Sequence, residues 1–353
     1  MIQKTNSVIT VNRNLLLHNL ERFSRFLDRD TQIMAVVKSN AYGHGAAEIA
    51  RTLEPKVGAF AVNAIQEGVE LRENGIAKPI LVFEVPRETM ASQYRAHDLT
   101  ATVSAREHFD WLPDGTSYHL NFDTGMGRLG FYPSVAGEVA GLVQAHSGLF
   151  CTGIYSHLAS AHEPGFSLVN RQQAIFREVL SHFPDNIAAH IANTGGTAFY
   201  TASQFSMVRL GIGLYGYPPG NIAIDQIEPV LSWRTFLAQT KTITAGATVS
   251  YGAEWKAPAN GYLGILPVGY ADGVKRSLFD RFSVRIAGKE YSVVGRITMN
   301  YCMVFLEDDY YKPGTEVALL YPESNAHDWA RKTGTISYEI LTGIDIRIPR
   351  EYV

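Results

Sequence analysis

Residues 33–45 read IMAVVKSNAYGHG, and the lysine at the centre of this stretch, Lys38, decides how the rest of the chain is read. The apolar run Ile33–Val37 predicts a buried parallel strand, and Ser39-Asn40 break it as a strand-to-loop junction would. Lys38 therefore stands where a strand leaves a core. Burial disfavours an ammonium and draws its pKa toward neutrality, the state that a Schiff-base lysine needs. An isolated VVK is more often a strand-end lysine whose amine reaches water. The residues after Lys38 argue for chemistry instead: Gly43 and Gly45 allow a tight turn and close approach to a ligand, and Tyr42 and His44 add polar tips.

Outward from this stretch, short β-rich runs alternate with helical patterns between residues 33 and 210. Strands are predicted near Met34–Val37, Ala59–Val62, Ile80–Phe83, Ala101–Val103, Tyr118–Phe122, Gly153–Ser156, Ala188–Ile191 and Met207–Leu210. Segments such as Ala46–Leu53, Ile65–Asn74 and Arg171–His182 carry apolar residues at helical intervals. The fold class is α/β plus all-β, beginning with a TIM (β/α)8 barrel. Polar groups fall just after or at the ends of the strands: Lys38, Asn63, Asp123 with Arg128, His157, Asn193 with Thr194, and Arg209. In a barrel of this kind the chemistry gathers at the C-terminal face, so the pattern supports both barrel and site.

After about residue 222 the texture changes. Val/Ile/Tyr/Thr-rich runs at Leu231–Thr244, Tyr262–Leu266, Phe282–Ile286, Tyr291–Leu306 and Glu316–Tyr321 are separated by Gly, Pro and Asp. They predict a second, mainly antiparallel β domain with one or two short helices near Asn325–Thr342. The expected division is 1–222 for the barrel and 223–353 for the β domain. The early strand Ser7–Val11 is expected to pair with the second domain.

Bulk properties narrow the function. With 31 basic and 34 acidic residues the net charge is −3, which implies no nucleic acid or other polyanion partner. No signal-peptide core and no run of eighteen apolar residues occurs, so no membrane span is expected. Cys151 and Cys302, far apart in apolar surroundings, fit a reduced, cytoplasmic protein better than a disulfide framework. No metal site is expected.

The chain resembles the alanine racemase family over nearly its whole length and in motif order. After VVKSNAYGHG come DTGMGRLG (123–130), SHLASA (156–161), HIANTGG (190–196), MVRLGIGLYG (207–216), VSYGAEW (249–255), PVGYADG (267–273), GRITMN (295–300) and IPREY (348–352). The resemblance implies the same barrel and β domain, a homodimer with shared active sites, and the cofactor pyridoxal 5′-phosphate. By resemblance Lys38 holds the cofactor as a Schiff base and then serves as one acid/base group. Tyr251, contributed by the partner subunit, is the other. Racemisation needs two such groups because the α-proton leaves one face and returns on the opposite face. An ordinary tyrosine titrates near pH 10, so Tyr251 needs help, and His157 resembles the histidine that supplies it.

Arg209 resembles the arginine that faces the cofactor's pyridine nitrogen. A guanidinium has no proton to surrender, so the ring stays largely unprotonated and simple proton exchange is favoured over transamination. The implied cofactor-binding set continues with Tyr42, Asn193, Thr194, the amides of Gly211 and Ile212, and Tyr352. Arg128 and the backbone of the partner's Met299 would take the substrate carboxylate. Tyr270, Arg276 and His162 resemble wall and entrance residues.

Four positions depart from the common family pattern. Asn121 stands where many members have a carbamylated lysine orienting the arginine, so another anion or a hydrogen bond must support Arg128. Thr298 and Asn300 replace a common cysteine and aspartate, and His162 replaces an acid. The expected reaction is interconversion of L- and D-alanine for peptidoglycan. A serine or broad-specificity small amino-acid racemase is the alternative. A basic amino-acid decarboxylase would lack Tyr251 in its role, and a non-catalytic pyridoxal-phosphate carrier would lack a counterpart to residues 230–353.

Overall fold

The strand that precedes Lys38, β2 (Gln32–Val36), is buried over all but its first residue and is flanked by parallel neighbours on both sides. That is why it reads as continuous Ile-Met-Ala-Val rather than as an alternation: both faces are covered. The computed structural model describes residues 5–162, 165 and 167–353. Among them the chain forms two compact units, one from residues 16–41 and 45–227, the other from residues 5–15, 42–44 and 228–353.

The larger unit is a ring of eight parallel strands. With β1 (Ser7–Val11) assigned to the other unit, they are β2, β3 (Ala59–Val62), β4 (Ile80–Val82), β5 (Ala101–Val103), β6 (Ser117–Asn121), β7 (Phe150–Tyr155), β8 (Ala188–His190) and β9 (Met207–Leu210). Two four-stranded ladders, β4-β3-β2-β9 and β5-β6-β7-β8, make up the wall. They are joined by a parallel bridge between Leu81 and Thr100 and by the Arg209 amide donating to the Ala192 carbonyl at 2.9 Å. Helices over Ala46–Leu53, Ile65–Glu73, Ala136–Ala145 and Ser167–Leu180 connect successive strands. The expected barrel is present, and each expected strand differs from the observed one by at most three residues at either end.

The smaller unit is mainly antiparallel. It contains β10 (Leu231–Phe236), β11 (Gln239–Ile243), β12 (Thr248–Val249), β13 (Trp255–Lys256), β14 (Gly261–Leu266), β15 (Ser283–Ile286), β16 (Lys289–Val294), β17 (Cys302–Glu307), β18 (Glu316–Leu320) and β19 (Arg350–Tyr352). All but β12 and β13 join one sheet in the order β11-β14-β17-β16-β15-β18-β10-β1-β19. The early strand β1 pairs as expected, antiparallel to β10 and parallel to β19. Two of the expected runs are each divided. Leu231–Thr244 turns after Phe236 to make β10 and β11, and Tyr291–Leu306 is interrupted by residues 295–301 between β16 and β17. That interruption carries Met299. Two short helices, Ala326–Thr333 and Ser337–Thr342, close the unit, and Trp329 packs edge-on against Phe282 in its core. No helix among the described residues is long and apolar enough to cross a membrane.

Candidate active site at the carboxyl end of the barrel

Lys38 leaves β2 half-buried, with its amine 5.8 Å from the centre of the Phe83 ring. Burial lowers its pKa first; the charge of Arg128 and, less strongly, that of Arg209 lower it further, against the opposing pull of Glu67. The chain after it takes an uncommon path. Ser39, Asn40, Ala41 and Tyr42 all have φ between 51° and 53°, a left-handed turn built without glycine until Gly43. Each such residue costs about 1–2 kcal/mol, and a conformation held against that cost is over-determined by its surroundings. The Glu67 carboxylate accepts from the Ser39 amide and from those of Asn63 and Ala64, while Asn40 Oδ1 accepts from Ala46 at 2.9 Å. One carboxylate thus fixes the loops after β2 and β3. Sequence reasoning missed Glu67, which reads there only as a helix first-turn acid.

Arg209 is 3 % exposed, inside the barrel. Its Nη1 donates to His190 Nδ1 at 2.6 Å and to the His190 carbonyl at 3.1 Å. Its Nη2 donates to the carbonyls of Ser156 at 2.7 Å and Ile191 at 3.2 Å, with His157 Nδ1 at 3.4 Å. Among the described residues only the Nε–H of its five donors has no acceptor. Burial pushes its pKa down to about 10, so the guanidinium remains charged at neutral pH.

Burial, reinforced by Arg209, Arg128 and Lys38, pushes His157 down to about 3. It is therefore a neutral imidazole. With Nδ1 facing Arg209, the ring proton lies on Nε2, ready to donate to an oxygen.

Behind these groups Tyr155 stacks on His190, with centroids 5.1 Å apart and planes 4° off parallel, and its hydroxyl meets Thr102 Oγ1 at 3.0 Å. Tyr155 directly precedes SHLASA and His190 begins HIANTGG, so the signal was present in the sequence without an assignment.

Arg128 lies exposed on the loop after β6, and its charge reaches Lys38, His157 and Arg209. Asp123 shapes that loop: its two oxygens accept from the amides of Gly125, Met126, Gly127 and Arg128 at 2.8–3.1 Å. Burial would raise the Asp123 carboxyl, but these four amides together hold it below the usual value. Asn121, buried, donates from Nδ2 to the Leu129 carbonyl at 3.0 Å. The hydrogen bond expected in place of a carbamate is therefore made to the loop backbone beside Arg128.

Thr194 Oγ1 lies 3.3 Å from the Gly211 amide and 3.4 Å from the Gly213 amide, at the head of the short helical turn Ile212–Tyr215. A Cβ at Gly213 would come within 2.4 Å of Phe23 and 2.7 Å of Thr194, so only glycine lets this backbone form the cradle. Both amides donate to the Thr194 oxygen, which leaves the Thr194 O–H for an anion such as a phosphate. Asn193 is occupied otherwise. Its Oδ1 caps the helix at Gly196, and its Nδ2 donates to the Leu158 carbonyl, so its carboxamide shapes the loop under Thr194. His162 is exposed and its Cβ would lie 3.1 Å from a Cβ at Gly220.

The smaller unit carries the remaining candidates. Tyr251 is 70 % exposed and follows Ser250, whose Oγ donates to the Arg296 carbonyl; Glu254 and Arg296 form an ion pair beside it. Tyr270 and Ala271 donate their amides to the carbonyls of Thr298 and Met299, both at 3.0 Å. Thr298 Oγ1 closes the turn by accepting from the Tyr301 amide at 3.0 Å. Its hydroxyl thus gives the Met299 turn its shape. Tyr251, Thr298 and Tyr301 line one concavity of about 730 Å3, while Met299, Asn300 and Arg276 are exposed. Tyr42 is buried against Tyr338, and Tyr352 donates to the His44 carbonyl at 3.1 Å.

A lysine of lowered pKa, a phosphate cradle and one spare guanidinium N–H ask for a carbonyl cofactor with an anion at one end and a ring nitrogen at the other. Those demands fit pyridoxal phosphate, and the class they define is the pyridoxal-phosphate-dependent amino-acid racemases. The alanine racemase N-terminal domain model matches residues 11–219 and the C-terminal domain model residues 230–352, so the chain belongs to the alanine racemase family. It is 33% identical over 349 residues to an alanine racemase of Streptococcus pneumoniae, covering 95% of this chain and 94% of that one. Among solved structures it superposes with a TM-score of 0.94 on alanine racemase of Clostridium difficile 630, at 30% identity, 99% of this chain and 96% of the other. The Bacillus anthracis alanine racemase with bound L-Ala-P gives 0.91 at 32% identity, covering 99% and 95%.

Proposed function

We propose that the interconversion of L- and D-alanine by this chain runs through two proton-transfer groups, Lys38 and Tyr251, the second supplied by the partner subunit of a homodimer. Pyridoxal phosphate, when bound, supplies an electron sink that makes the substrate's α-proton removable. Lys38 would hold it, with Thr194, Gly211 and Ile212 at its phosphate and Arg209 Nε–H at its ring nitrogen. Arg128 would orient the substrate carboxylate, helped by the amide of the partner's Met299. Lys38, its pKa lowered by burial, takes or returns the α-proton on one face; Tyr251 serves the other. The neutral His157, donating from Nε2, would stabilise the Tyr251 oxygen when it loses its proton.

The observation that carries this reading is Arg209: buried, charged, and with a single donor left over. A partner that donates a hydrogen bond to a pyridine nitrogen without surrendering its proton limits electron withdrawal, which suits proton exchange. Support for the dimer comes from the exposed patch of Tyr251, Tyr270, Met299 and Tyr301, at 44–70 % exposure. Aromatic groups so exposed mark a contact surface. Tyr270, Arg276 and His162 would line the entrance. A cytoplasmic location agrees with two cysteines held as thiols.

The test is a pair of variants. Lys38→Ala is expected to lose the cofactor's visible absorbance band and racemisation together. Tyr251→Phe is expected to lose α-proton exchange chiefly with one enantiomer, and equal losses with both would remove the dedicated face.

A further inference from the structure

The barrel has a second opening, away from Lys38. A cavity of about 280 Å3 is lined by residues at or beside the amino-terminal ends of its strands, among them Leu81, Thr100, Ser117, Ala188 and Met207, and by the His119 ring. His119 is only 7 % exposed and sits on the same face of β6 as Asn121. Its Nδ1 lies 2.9 Å from His190 Nε2, and His190 Nδ1 lies 2.6 Å from Arg209 Nη1. The three side chains form a row from the cavity to the candidate active site.

Hydrogen-bond inventory fixes the protons in this row. A guanidinium can only donate, so His190 Nδ1 must accept. Burial and the Arg209 charge keep His190 neutral, so its one proton is on Nε2, pointing at His119. His119, also neutral, must then accept at Nδ1 and carry its proton on Nε2. The remaining N–H is the one that the cavity receives. Take His119 away and the His190 Nε2–H loses its fixed acceptor; the other tautomer would instead set an N–H against Arg209.

We propose that His119 and His190 are positioning residues for Arg209, a one-directional donor chain that holds the guanidinium in register with the cofactor ring and is solvated from the amino-terminal end of the barrel. This rests on the reading that Arg209 faces that ring. Gly153 leaves the room that the end of the row occupies, since a Cβ there would lie 2.6 Å from three atoms of the His119 ring.

The experiment is chemical rescue in the holoenzyme. His119→Gly joins the ring's volume to the cavity, and free imidazole is the probe. His119→Gly is expected to lower kcat and the affinity of apoenzyme for pyridoxal phosphate by about tenfold each, the value of one lost hydrogen bond to a charged network, with KM for alanine little changed. Added imidazole should restore both quantities and raise the unfolding temperature of His119→Gly but not of the wild type. His119→Gln, whose Oε1 can accept from His190, should keep most of both and gives the same test if the glycine variant does not fold. If cofactor affinity and kcat are unchanged in His119→Gly, or if imidazole binds and raises its unfolding temperature without restoring them, the chain is packing alone and the proposal is overturned. Arg209→Lys separates the two readings: unchanged cofactor absorbance and activity there would remove the role of Arg209 itself.

Discussion

At Lys38 the local chemistry is set by what the amine lacks. It is buried away from water and has two arginine charges within electrostatic reach with Glu67 in opposition, so its pKa falls. Between the folded value and the ordinary 10.4 or so, the unfolded chain binds the proton that the folded lysine refuses, so this group's contribution to stability rises with pH through that window. The same depression makes the amine reactive early. In cofactor-free enzyme, reductive methylation with peptide mass spectrometry should show Lys38 reacting at lower pH than exposed lysines such as Lys312. Coincident pH profiles would contradict the depressed value.

Among the elements, the loop from Asp123 to Gly130 has the clearest dependence on a single side chain. It contains no helix or strand of its own; one carboxylate gathers four of its amides, and Asn121 pins the far side through Leu129. Asp123→Ala leaves those amides without an acceptor and frees Arg128, so the loss should fall on substrate capture. We expect KM for alanine to rise by about tenfold or more, with a smaller change in kcat, in steady-state assays. Asn121→Ala should move the same quantity in the same direction, by less. A fall confined to kcat in both would place the loop's role elsewhere than carboxylate binding.

On the scale of the whole molecule, a site shared between subunits makes a stoichiometric prediction. Mixed Lys38→Ala and Tyr251→Phe chains, each inactive alone, would form hybrid dimers with one doubly altered and one intact site. After random reassociation about a quarter of wild-type turnover should return. No recovery on mixing would mean that each chain completes its own site. Acid stability also belongs at this scale. His119 and His157 titrate near 3 and His190 well below its ordinary value, against about 6.5 in the unfolded chain. The unfolded state therefore takes up protons first, and stability falls as pH drops from 6.5 toward 3. In urea titrations across that range, His119→Gln should flatten the dependence by up to about 1.4 kcal/mol per pH unit.

The linear order of apolar runs determined the barrel, because strands covered on both faces must be continuously apolar and the ends of those runs must be where polar groups emerge. Lys38, His157 and Arg209 were legible for the same reason: each succeeds or interrupts such a run. Motif order across the chain carried the family. What sequence could not fix was everything set by side chains meeting across strands. Glu67 binding a loop beyond its own helix, Asn121 serving the Leu129 carbonyl, Asn193 turned into a cap, and the row from His119 through His190 to Arg209 link residues 8 to 71 positions apart or reverse a side chain's expected use. The left-handed path of Ser39–Tyr42 was equally hidden, since no local preference favours it and only the surrounding fold can hold it. A sequence names the groups that do the chemistry. Only tertiary structure decides which of their protons face which lone pairs, because that depends on distances that no spacing along the chain encodes.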